Sequence, residues 1–308
     1  MTKIHDLLMS EMDLTRPAVF EKGCPYIVPL LEELALPSGT SGKGNPKSTT
    51  GRLDVFTRLI TDYGTEFERV PEGYKGPIFA EVVPRTFAIS VREGLSLSQL
   101  RFMRGRSASP DTELREINRD ESLVYAHDQR PTKARIQDGL LVSLNLEPND
   151  GTDIVGYRAK KNAPLVDLGK TDYYDPEEFW DIVRAPATGG IILNPGDFYI
   201  LGSKEKLRVP PTFAAEMVAM DPSLGEFRIH YAGFFDPGFG HGMEDASGTP
   251  AVLEVRAHEV PFVMEHGQLV GRLIYNRLLD KPDRLYGPEI GSTYQRQMLA
   301  LSKHFKRT

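Results

Sequence analysis

The stretch Gly23-Cys-Pro-Tyr-Ile-Val-Pro-Leu-Leu-Glu-Glu-Leu-Ala-Leu-Pro37 returns 173 residues later as Gly196-Asp-Phe-Tyr-Ile-Leu-Gly-Ser-Lys-Glu-Lys-Leu-Arg-Val-Pro210. The matching residues of the two copies include Gly23, Tyr26, Ile27, Leu34 and Pro37 in the first and Gly196, Tyr199, Ile200, Leu207 and Pro210 in the second. The same offset relates further positions, namely Glu81, Val82, Gly94, Leu100 and Arg104 to Glu254, Val255, Gly267, Leu273 and Arg277. One register that links a strand, a carboxylate and a glycine turn over about eighty residues predicts a duplicated domain.

Short apolar and aromatic runs separated by Gly, Pro and Asp turns dominate both halves of the chain. Examples are Tyr26–Val28, Phe79–Val83, Phe198–Leu201 and Val252–Val255. This pattern predicts a mainly β fold with antiparallel strands and few short helices. The best helix candidate is Asp175–Val183, which has Asp at the N-cap, Pro in the first turn and acidic residues that complement the helix dipole.

The repeat predicts a domain over residues 1–111, a charged linker over residues 112–130 and a second domain over residues 131–308 that ends in a C-terminal arm. We expect the linker to form a solvated helix. Because residue 1 corresponds to residue 174, the strand-like Gly139–Leu146 has no counterpart in the first half. We therefore expect a first domain that lacks its first strands, either because it is naturally abbreviated or because this chain begins late.

Composition narrows the class of protein. The chain has 37 Lys and Arg against 43 Asp and Glu, which argues against an electrostatic nucleic-acid binder. Its single cysteine, Cys24, excludes a disulfide framework and fits a reducing compartment. No apolar run approaches the roughly 18 residues of a membrane span, and the start has no signal-peptide pattern. We expect a soluble cytoplasmic protein without nucleic-acid or membrane partners.

A candidate anion site lies in Asn45-Pro-Lys-Ser-Thr-Thr-Gly-Arg52, where two cations, three hydroxyls and a flexible glycine fall together. Arg52 can grip a phosphate with its planar fork, Lys47 adds a point charge, and hydroxyls and backbone N–H groups donate hydrogen bonds. The order of residues is not that of a Walker loop, so P-loop chemistry does not follow. Alone, the stretch is more typical of a polar surface loop, but its place inside a duplicated domain favours the anion site.

Three further motifs lie in the second half. Phe235-Asp-Pro-Gly-Phe239 predicts a turn, Val252-Leu-Glu254 lies on a predicted strand, and Tyr286 stands eleven residues before Gln297 in the C-terminal arm. Together with the Lys47–Arg52 loop, these motifs resemble the dCTP deaminases of the trimeric, dUTPase-like β fold, especially the long, duplicated bacterial form. The resemblance implies two distorted β-barrel or jelly-roll domains.

The resemblance also implies a role for each motif. The basic loop would hold the triphosphate, the Asp of the turn would bind the deoxyribose, and the arm would close over the nucleotide. The substrate-binding residues implied in this way are Lys47, Ser48, Arg52, Asp236, Val252, Leu253, Tyr286 and Gln297. The strand glutamate Glu254 would be catalytic, and the repeat makes Glu81 a second candidate.

The implied reaction is hydrolytic deamination of dCTP to dUTP and ammonia, which feeds dUMP and dTTP biosynthesis. Zinc deaminases need an H-x-E and P-C-x-x-C ligand set, which a chain with one cysteine cannot supply. A glutamate would then deprotonate the water and later protonate the ammonia, which requires a desolvated carboxyl with a raised pKa. Glu254 suits this role because its neighbours Leu253 and Val255 are apolar. Mg²⁺ would come bound to the substrate triphosphate.

Each half departs from the family pattern. The first half has the loop and Glu81, but its turn, Val70-Pro-Glu-Gly-Tyr-Lys-Gly76, lacks the Asp. In the second half, Met220–Arg228 offers Ser and Arg at the wrong spacing. Since sites of the trimeric family are shared between subunits, we predict a homo-oligomer with a composite site, in which the loop of a first domain meets Asp236 and Glu254 of a second domain. In the alternative, Glu81 works with the loops of first domains only.

Two other functions remain open. A dUTP diphosphatase, or a bifunctional deaminase and diphosphatase, would use the same fold and loop. The diphosphatase family usually ends in a Gly-rich, Arg-bearing arm, which the tail Gln297–Phe305 lacks. The second alternative is a non-catalytic β-domain protein that binds a nucleotide or a partner.

Overall fold

The computed structural model describes residues 8–105, 108–149, 151–219, 233–241, 248–257, 259–287 and 299–307, and the backbone of residues 227–230. The fold is mainly β with curled sheets, as predicted from the sequence. Contacts divide the chain into unit 1, which comprises Met1–Arg106, Lys161–Phe179 and Ser302–Thr308, and unit 2, which comprises Ser107–Lys160 and Trp180–Leu301. The domain and linker limits drawn from the repeat are a different division and stay a prediction. None of the helices in the described ranges is long and apolar enough to cross a membrane.

Small, mostly antiparallel sheets build unit 1. The elements of its long N-terminal segment are β1 (Ala18–Phe20), β2 (Tyr26–Ala35), β3 (Thr40–Pro46), α1 (Ser48–Gly51), β4 (Val55–Thr61), β5 (Arg69–Val70), β6 (Lys75–Pro84), β7 (Ile89–Val91) and β8 (Ser98–Arg104). One sheet has the order β2-β6-β4 and another the order β5-β3-β8, while β1 pairs with β7. Buried side chains of Leu36, Leu59, Val70 and Ile78 form a core cluster.

A ten-stranded, curled sheet dominates unit 2. The remaining elements of the chain are α2 (Asp111–Asp120), β9 (Val124–Tyr125), β10 (Leu140–Asn145), β11 (Ile154–Ala159), β12 (Val166–Asp167), α3 (Pro176–Phe179), β13 (Trp180–Arg184), β14 (Gly190–Leu193), β15 (Phe198–Leu207), β16 (Phe213–Ala219), β17 (Phe227–His230), β18 (Phe234–Phe235), β19 (Thr249–Ala257), β20 (Phe262–Glu265) and β21 (Leu269–Arg277). Of these, β12 and α3 belong to unit 1, where β12 pairs with β7. The sheet runs β13-β11-β15-β10-β21-β16-β18, with β19 and β9 also paired to β15 and β17 paired to β19.

The strand registers confirm the internal repeat. In unit 1, β2 pairs with β6 so that Ile27 lies opposite Glu81. In unit 2, β15 pairs with β19 so that Ile200 lies opposite Glu254, at the same offset of 173 residues. Both ladders change register at equivalent places, after Pro29 in β2 and after Gly202 in β15. The two halves therefore share a backbone plan as well as a residue pattern.

The helix predicted over Asp175–Val183 is wrong beyond its first turn. Oδ1 of Asp175 does accept a hydrogen bond from the backbone N–H of Glu177, at 3.0 Å, as an N-cap would. However, β13 begins at Trp180, and its register places Trp180 opposite Ala159 and Ile182 opposite Tyr157 of β11. Pairing with β11 supplies the backbone hydrogen bonds, so tertiary contacts override the local helix signal.

The prediction of a solvated helix over residues 112–130 is wrong in two respects: the helix is shorter, and part of the segment is buried. The helix α2 ends at Asp120, and Leu114 and Leu123 are buried in the core of unit 2. The carboxylate of Asp111 accepts hydrogen bonds from the backbone N–H groups of Asp138 and Gly139, each at 2.9 Å. These contacts join the start of α2 to the residues just before β10.

Candidate functional site

The predicted anion loop forms a helical turn rather than an open, flexible loop. The backbone N–H of Lys47 donates to the carbonyl of Leu97 at 2.9 Å. The N–H groups of Thr50 and Gly51 then donate back to the carbonyl of Lys47, at 2.8 and 3.0 Å. These bonds fix the backbone that carries the two cations and three hydroxyls of the motif.

The three hydroxyls of this turn differ in their availability. The hydroxyl of Thr50 donates to the carbonyl of Leu97 at 2.8 Å, and the residue is 3% exposed. Ser48 and Thr49 are only partly buried. Direct hydroxyl contacts to a ligand therefore depend on Ser48 and Thr49, while Thr50 stabilises the turn.

The end of the loop is buried. Arg52 is 6% exposed, and its backbone N–H donates to the carbonyl of Ser48 at 3.0 Å. Asp54 is fully buried with a φ of 55°, and its Oδ2 accepts a hydrogen bond of 2.5 Å from the hydroxyl of Thr86. A non-glycine residue in this left-handed conformation is uncommon and marks a constrained position. The sequence did not single out Asp54, because its hydrogen-bond partner Thr86 lies 32 positions away and no local pattern links the two residues.

The first repeated glutamate, Glu81, is held in an ion pair. Arg58 lies directly opposite it in the ladder between β4 and β6. The Nε of Arg58 lies 2.8 Å from Oε2 of Glu81, and Nη2 of Arg58 contacts the same oxygen. The guanidinium also lies 3.8 Å from the ring centroid of Phe67 and 4.8 Å from that of Phe56. One carboxylate oxygen of Glu81 is thus committed to a fixed cation.

The second repeated glutamate, Glu254, has the same register but another neighbour. It lies opposite Ile200 of β15 and, on its other side, opposite His230 of β17. Its side chain is 5% exposed, and Leu253 beside it is 0% exposed. On the second neighbouring strand, the residue opposite the glutamate is therefore Arg58 of β4 in unit 1 and His230 of β17 in unit 2. Because the side chain of Leu253 lies in the core, any contact of this residue with a substrate would have to come from its backbone.

The Asp236 turn meets the start of the C-terminal arm. The backbone N–H of Phe239 donates to the carbonyl of Asp236 at 3.0 Å, and Gly238 has a φ of 88°. The N–H of Tyr286 donates to the carbonyl of Pro237 at 2.8 Å, and its ring centroid lies 5.5 Å from that of Phe239. The structure thus brings together two predicted site residues, Asp236 and Tyr286.

The equivalent turn of unit 1 has the same backbone hydrogen bond but lacks the carboxylate. The N–H of Tyr74 donates to the carbonyl of Pro71 at 3.2 Å, as Phe239 does to Asp236 in unit 2. Pro71 therefore occupies the position of Asp236. This confirms that the aspartate is absent from the first repeat.

The predicted residues divide between the units. Unit 1 contains Lys47, Ser48, Arg52 and Glu81, and unit 2 contains Asp236, Val252, Leu253, Glu254 and Tyr286. Gln297 and the degenerate loop from Met220 to Glu226 lie outside the described residues. The composite site therefore stays a prediction. Within the described residues, no three His, Cys, Asp or Glu side chains come together as metal ligands would.

Comparisons with known proteins identify the family of the chain. The family model of the 2'-deoxycytidine 5'-triphosphate deaminase N-terminal domain matches residues 1–106, and that of the C-terminal domain matches residues 110–305. The crystal structure of 2'-deoxycytidine 5'-triphosphate deaminase from Agrobacterium tumefaciens is 46% identical, with a TM-score of 0.85, and the match covers 90% of this chain and 82% of that chain.

Curated relatives align with about half of the chain. One is "dCTP deaminase, dUMP-forming" of Halobacterium salinarum, 29% identical over 178 residues, which are 53% of this chain and 86% of the relative. Another is the protein of the same name from Corynebacterium glutamicum, 27% identical over 166 residues, or 50% of this chain and 84% of the relative. The resemblance inferred from the motifs is confirmed: the chain belongs to the dCTP deaminase family.

Proposed function

We propose that this protein hydrolyses dCTP to a deoxyuridine nucleotide and ammonia, with Glu254 as the proton-transfer group. Family membership supports the reaction. The observation that carries the choice of glutamate is the ion pair between Glu81 and Arg58, which commits the carboxylate of Glu81 to a structural contact. Glu254, in the equivalent register, is 5% exposed beside the fully buried Leu253.

In the proposed reaction, the carboxylate of Glu254 takes a proton from a water molecule as the water oxygen bonds to C4 of the cytosine ring. The C4=N3 double bond opens as the water oxygen adds, and N3 takes this proton from the carboxyl. The carboxylate then takes the proton of the new C4 hydroxyl and gives it to the amino group. The C4–N bond breaks, the C4 oxygen becomes a carbonyl, and ammonia leaves. One water and one dCTP become one dUTP and one ammonia, so Glu254 returns to its starting state.

Substrate binding is assigned to the loop and the turn. Lys47 and Arg52 would bind the triphosphate through their charges, and Ser48 would donate a hydrogen bond from its partly exposed hydroxyl. Asp236 would accept a hydrogen bond from the deoxyribose, with Tyr286 packed above the same turn. Mg²⁺ would arrive with the triphosphate, whose oxygens are the ligands it prefers. We further propose a homo-oligomer that acts in the cytoplasm in pyrimidine deoxynucleotide synthesis.

A second candidate is a bifunctional reaction that ends at dUMP and diphosphate. It is favoured by the names of the Halobacterium and Corynebacterium relatives, both of which are dUMP-forming. Chromatography of the products separates the two reactions, because dUTP accumulates in one and dUMP with diphosphate in the other. Incubation with dUTP alone shows whether the diphosphate is removed without deamination.

The proposal is tested by measuring ammonia release from dCTP and Mg²⁺. Glu254→Gln removes the proton acceptor with almost no change of shape and should lower kcat by at least ~100-fold. Glu81→Gln is the matched control in the equivalent register and should keep most of the activity. If only Glu81→Gln abolished turnover, the assignment would be wrong. If the wild-type chain bound dCTP without releasing ammonia, the non-catalytic alternative would hold.

A further inference from the structure

Equivalent strands of the two repeats have different numbers of neighbours. In unit 2, β15 pairs with β10 and β11 as well as with β19. In the part of unit 1 that the structure describes, β2 pairs with β6 alone. Side-chain exposure follows this difference, because Ile27 is 41% exposed while the equivalent Ile200 is 0% exposed. One edge of β2 is therefore open where β15 is covered.

A second open edge belongs to β8. Its equivalent in unit 2, β21, lies between β16 and β10. Over the described ranges, β8 pairs only with β3, the equivalent of β16. Phe102 of β8 is 57% exposed, whereas the equivalent Tyr275 is 1% exposed. Both open edges therefore lack the same neighbour, the counterpart of β10.

A cavity of about 630 Å³ lies along these two edges. Its lining is mainly apolar and includes Val28, Leu30, Leu34, Ile78, Leu100 and Phe102. Leu30 and Leu34 also pack against the core cluster of unit 1. The space is therefore an opening into the core rather than a polar crevice.

The repeat identifies what fills the equivalent space in unit 2. There, β10 pairs antiparallel with β15 at Ser203 and with β21 at Leu273. The equivalent residues of unit 1 are Leu30 and Leu100, and both line the cavity. All six residues of β10 are buried. In unit 2, β10 thus bridges β15 and β21 at the place where the cavity of unit 1 lies between β2 and β8.

We propose that the groove between β2 and β8 is an acceptor site for one apolar β-strand of the type Leu-Leu-Val-Ser-Leu-Asn, as in Leu140–Asn145. The incoming strand pairs antiparallel with both open edges, so its backbone N–H and C=O groups hydrogen-bond on two sides. Its apolar side chains cover Leu30 and Leu100. Charged side chains placed against Leu30 and Leu100 would be desolvated without a partner, which favours an apolar strand at these positions.

The test uses the full chain and a labelled synthetic peptide with the sequence of Gly139–Leu146, flanked by lysines for solubility. Fluorescence anisotropy should show saturable binding. The matched control peptide carries proline in place of Val142 and Leu144. Each proline removes a backbone N–H donor, and proline does not fit in a strand that is paired on both sides. We expect the control to bind at least roughly tenfold more weakly. Equal binding of both peptides would mean non-specific apolar contact and would overturn the proposal, as would no binding at all.

Hydrogen exchange locates the bound peptide. Added peptide should slow amide exchange in β2 and β8, near Leu30 and Leu100. Slower exchange confined to β15 and β21 would mean that the peptide replaces β10 in unit 2, and it would overturn the proposal. A second copy of the chain could also fill the groove, and two measurements without peptide test this. Sedimentation shows whether the chain is a dimer, and hydrogen exchange shows whether β2 is protected in it. A dimer with protected β2 would mean that a second copy is the occupant, and the proposal would also fail.

Discussion

The hydroxyl of Ser302 donates a hydrogen bond to the backbone carbonyl of Thr49, at an Oγ–O distance of 2.8 Å, although 253 residues separate the two in the chain. The residues after Ser302 are anchored on the same unit. The ring of Phe305 lies 5.2 Å from that of Phe179, and the N–H of Lys306 donates to the carbonyl of Tyr174 at 2.8 Å. The C-terminal segment thus supports the backbone of the predicted anion loop.

Removing this support should weaken both substrate binding and the fold. We expect Ser302→Ala to raise the KM for dCTP several-fold, because the Thr49 carbonyl loses its donor and the loop gains freedom. The loss of unfolding free energy should be only about 1 kcal/mol, as for one hydrogen bond. Ser302→Thr keeps the hydroxyl and serves as the control. Steady-state kinetics and urea denaturation measure both effects, and an unchanged KM in Ser302→Ala would contradict the prediction.

The ion pair between Arg58 and Glu81 should contribute to stability and not to catalysis. Arg58→Met should lower the free energy of unfolding by about 1–2 kcal/mol, because it leaves the partly buried carboxylate of Glu81 without its cation. The double variant Arg58→Met with Glu81→Gln should recover part of this loss. Chemical denaturation followed by circular dichroism measures the coupling. A large fall of kcat in the double variant would show instead that this pair takes part in the reaction.

Glu68 predicts a pH dependence of stability. Burial raises its pKa to about 7, above an ordinary value of 4.5, and its Oε1 accepts a hydrogen bond from the N–H of Leu59 at 3.1 Å. Because the folded pKa is the higher one, the protonated side chain contributes its full stability below pH 4.5. That contribution falls as the pH rises and is lost above about pH 7. We expect a loss of about 2 kcal/mol, allowing for the part of the side chain that remains in solvent.

Denaturation at pH 5 and pH 8 compares the wild type with Glu68→Gln. The glutamine cannot ionise, so the variant should lose less stability over this interval. Equal pH dependence in both proteins would show that Glu68 does not titrate in this range.

Gly238 should be required by the turn that joins Asp236 to the arm. Its φ is 88°, and a Cβ built on it would lie 2.9 Å from Cβ of Leu285. Gly238→Ala should therefore cost about 2–3 kcal/mol of stability, from backbone strain and from the clash. Gly267 is a matched control in the same unit, because its φ is 77° and only Nζ of Lys204 lies near the added Cβ, at 4.0 Å.

Gly267→Ala should cost only about 1 kcal/mol, the cost of the left-handed conformation alone. Urea denaturation measures the difference between the two variants. If the two costs were equal, the contact with Leu285 would carry no weight. A higher KM for dCTP in Gly238→Ala alone would link the turn to substrate binding.

The sequence was sufficient for the strands and for the repeat. Alternating apolar runs between turn residues indicate strands locally, and the fixed offset from Glu81 to Glu254 required two strands with the same register. The motifs around Lys47, Asp236 and Glu254 were also visible as local patterns. Each of these features depends on residues that are close in sequence or related by a constant spacing, which is why they could be predicted.

Only the tertiary structure decided the surroundings of these motifs. The segment Asp175–Val183 has good helix signals, yet pairing with a distant strand turns most of it into β13. Arg58 faces Glu81 because of the register between β4 and β6, and no local pattern specifies that register. The contact between Ser302 and Thr49 joins two segments that are 253 positions apart in the chain. Local propensities are worth tenths of a kcal/mol per residue, so burial and cross-strand hydrogen bonds between distant segments determine which neighbours each site residue finally has.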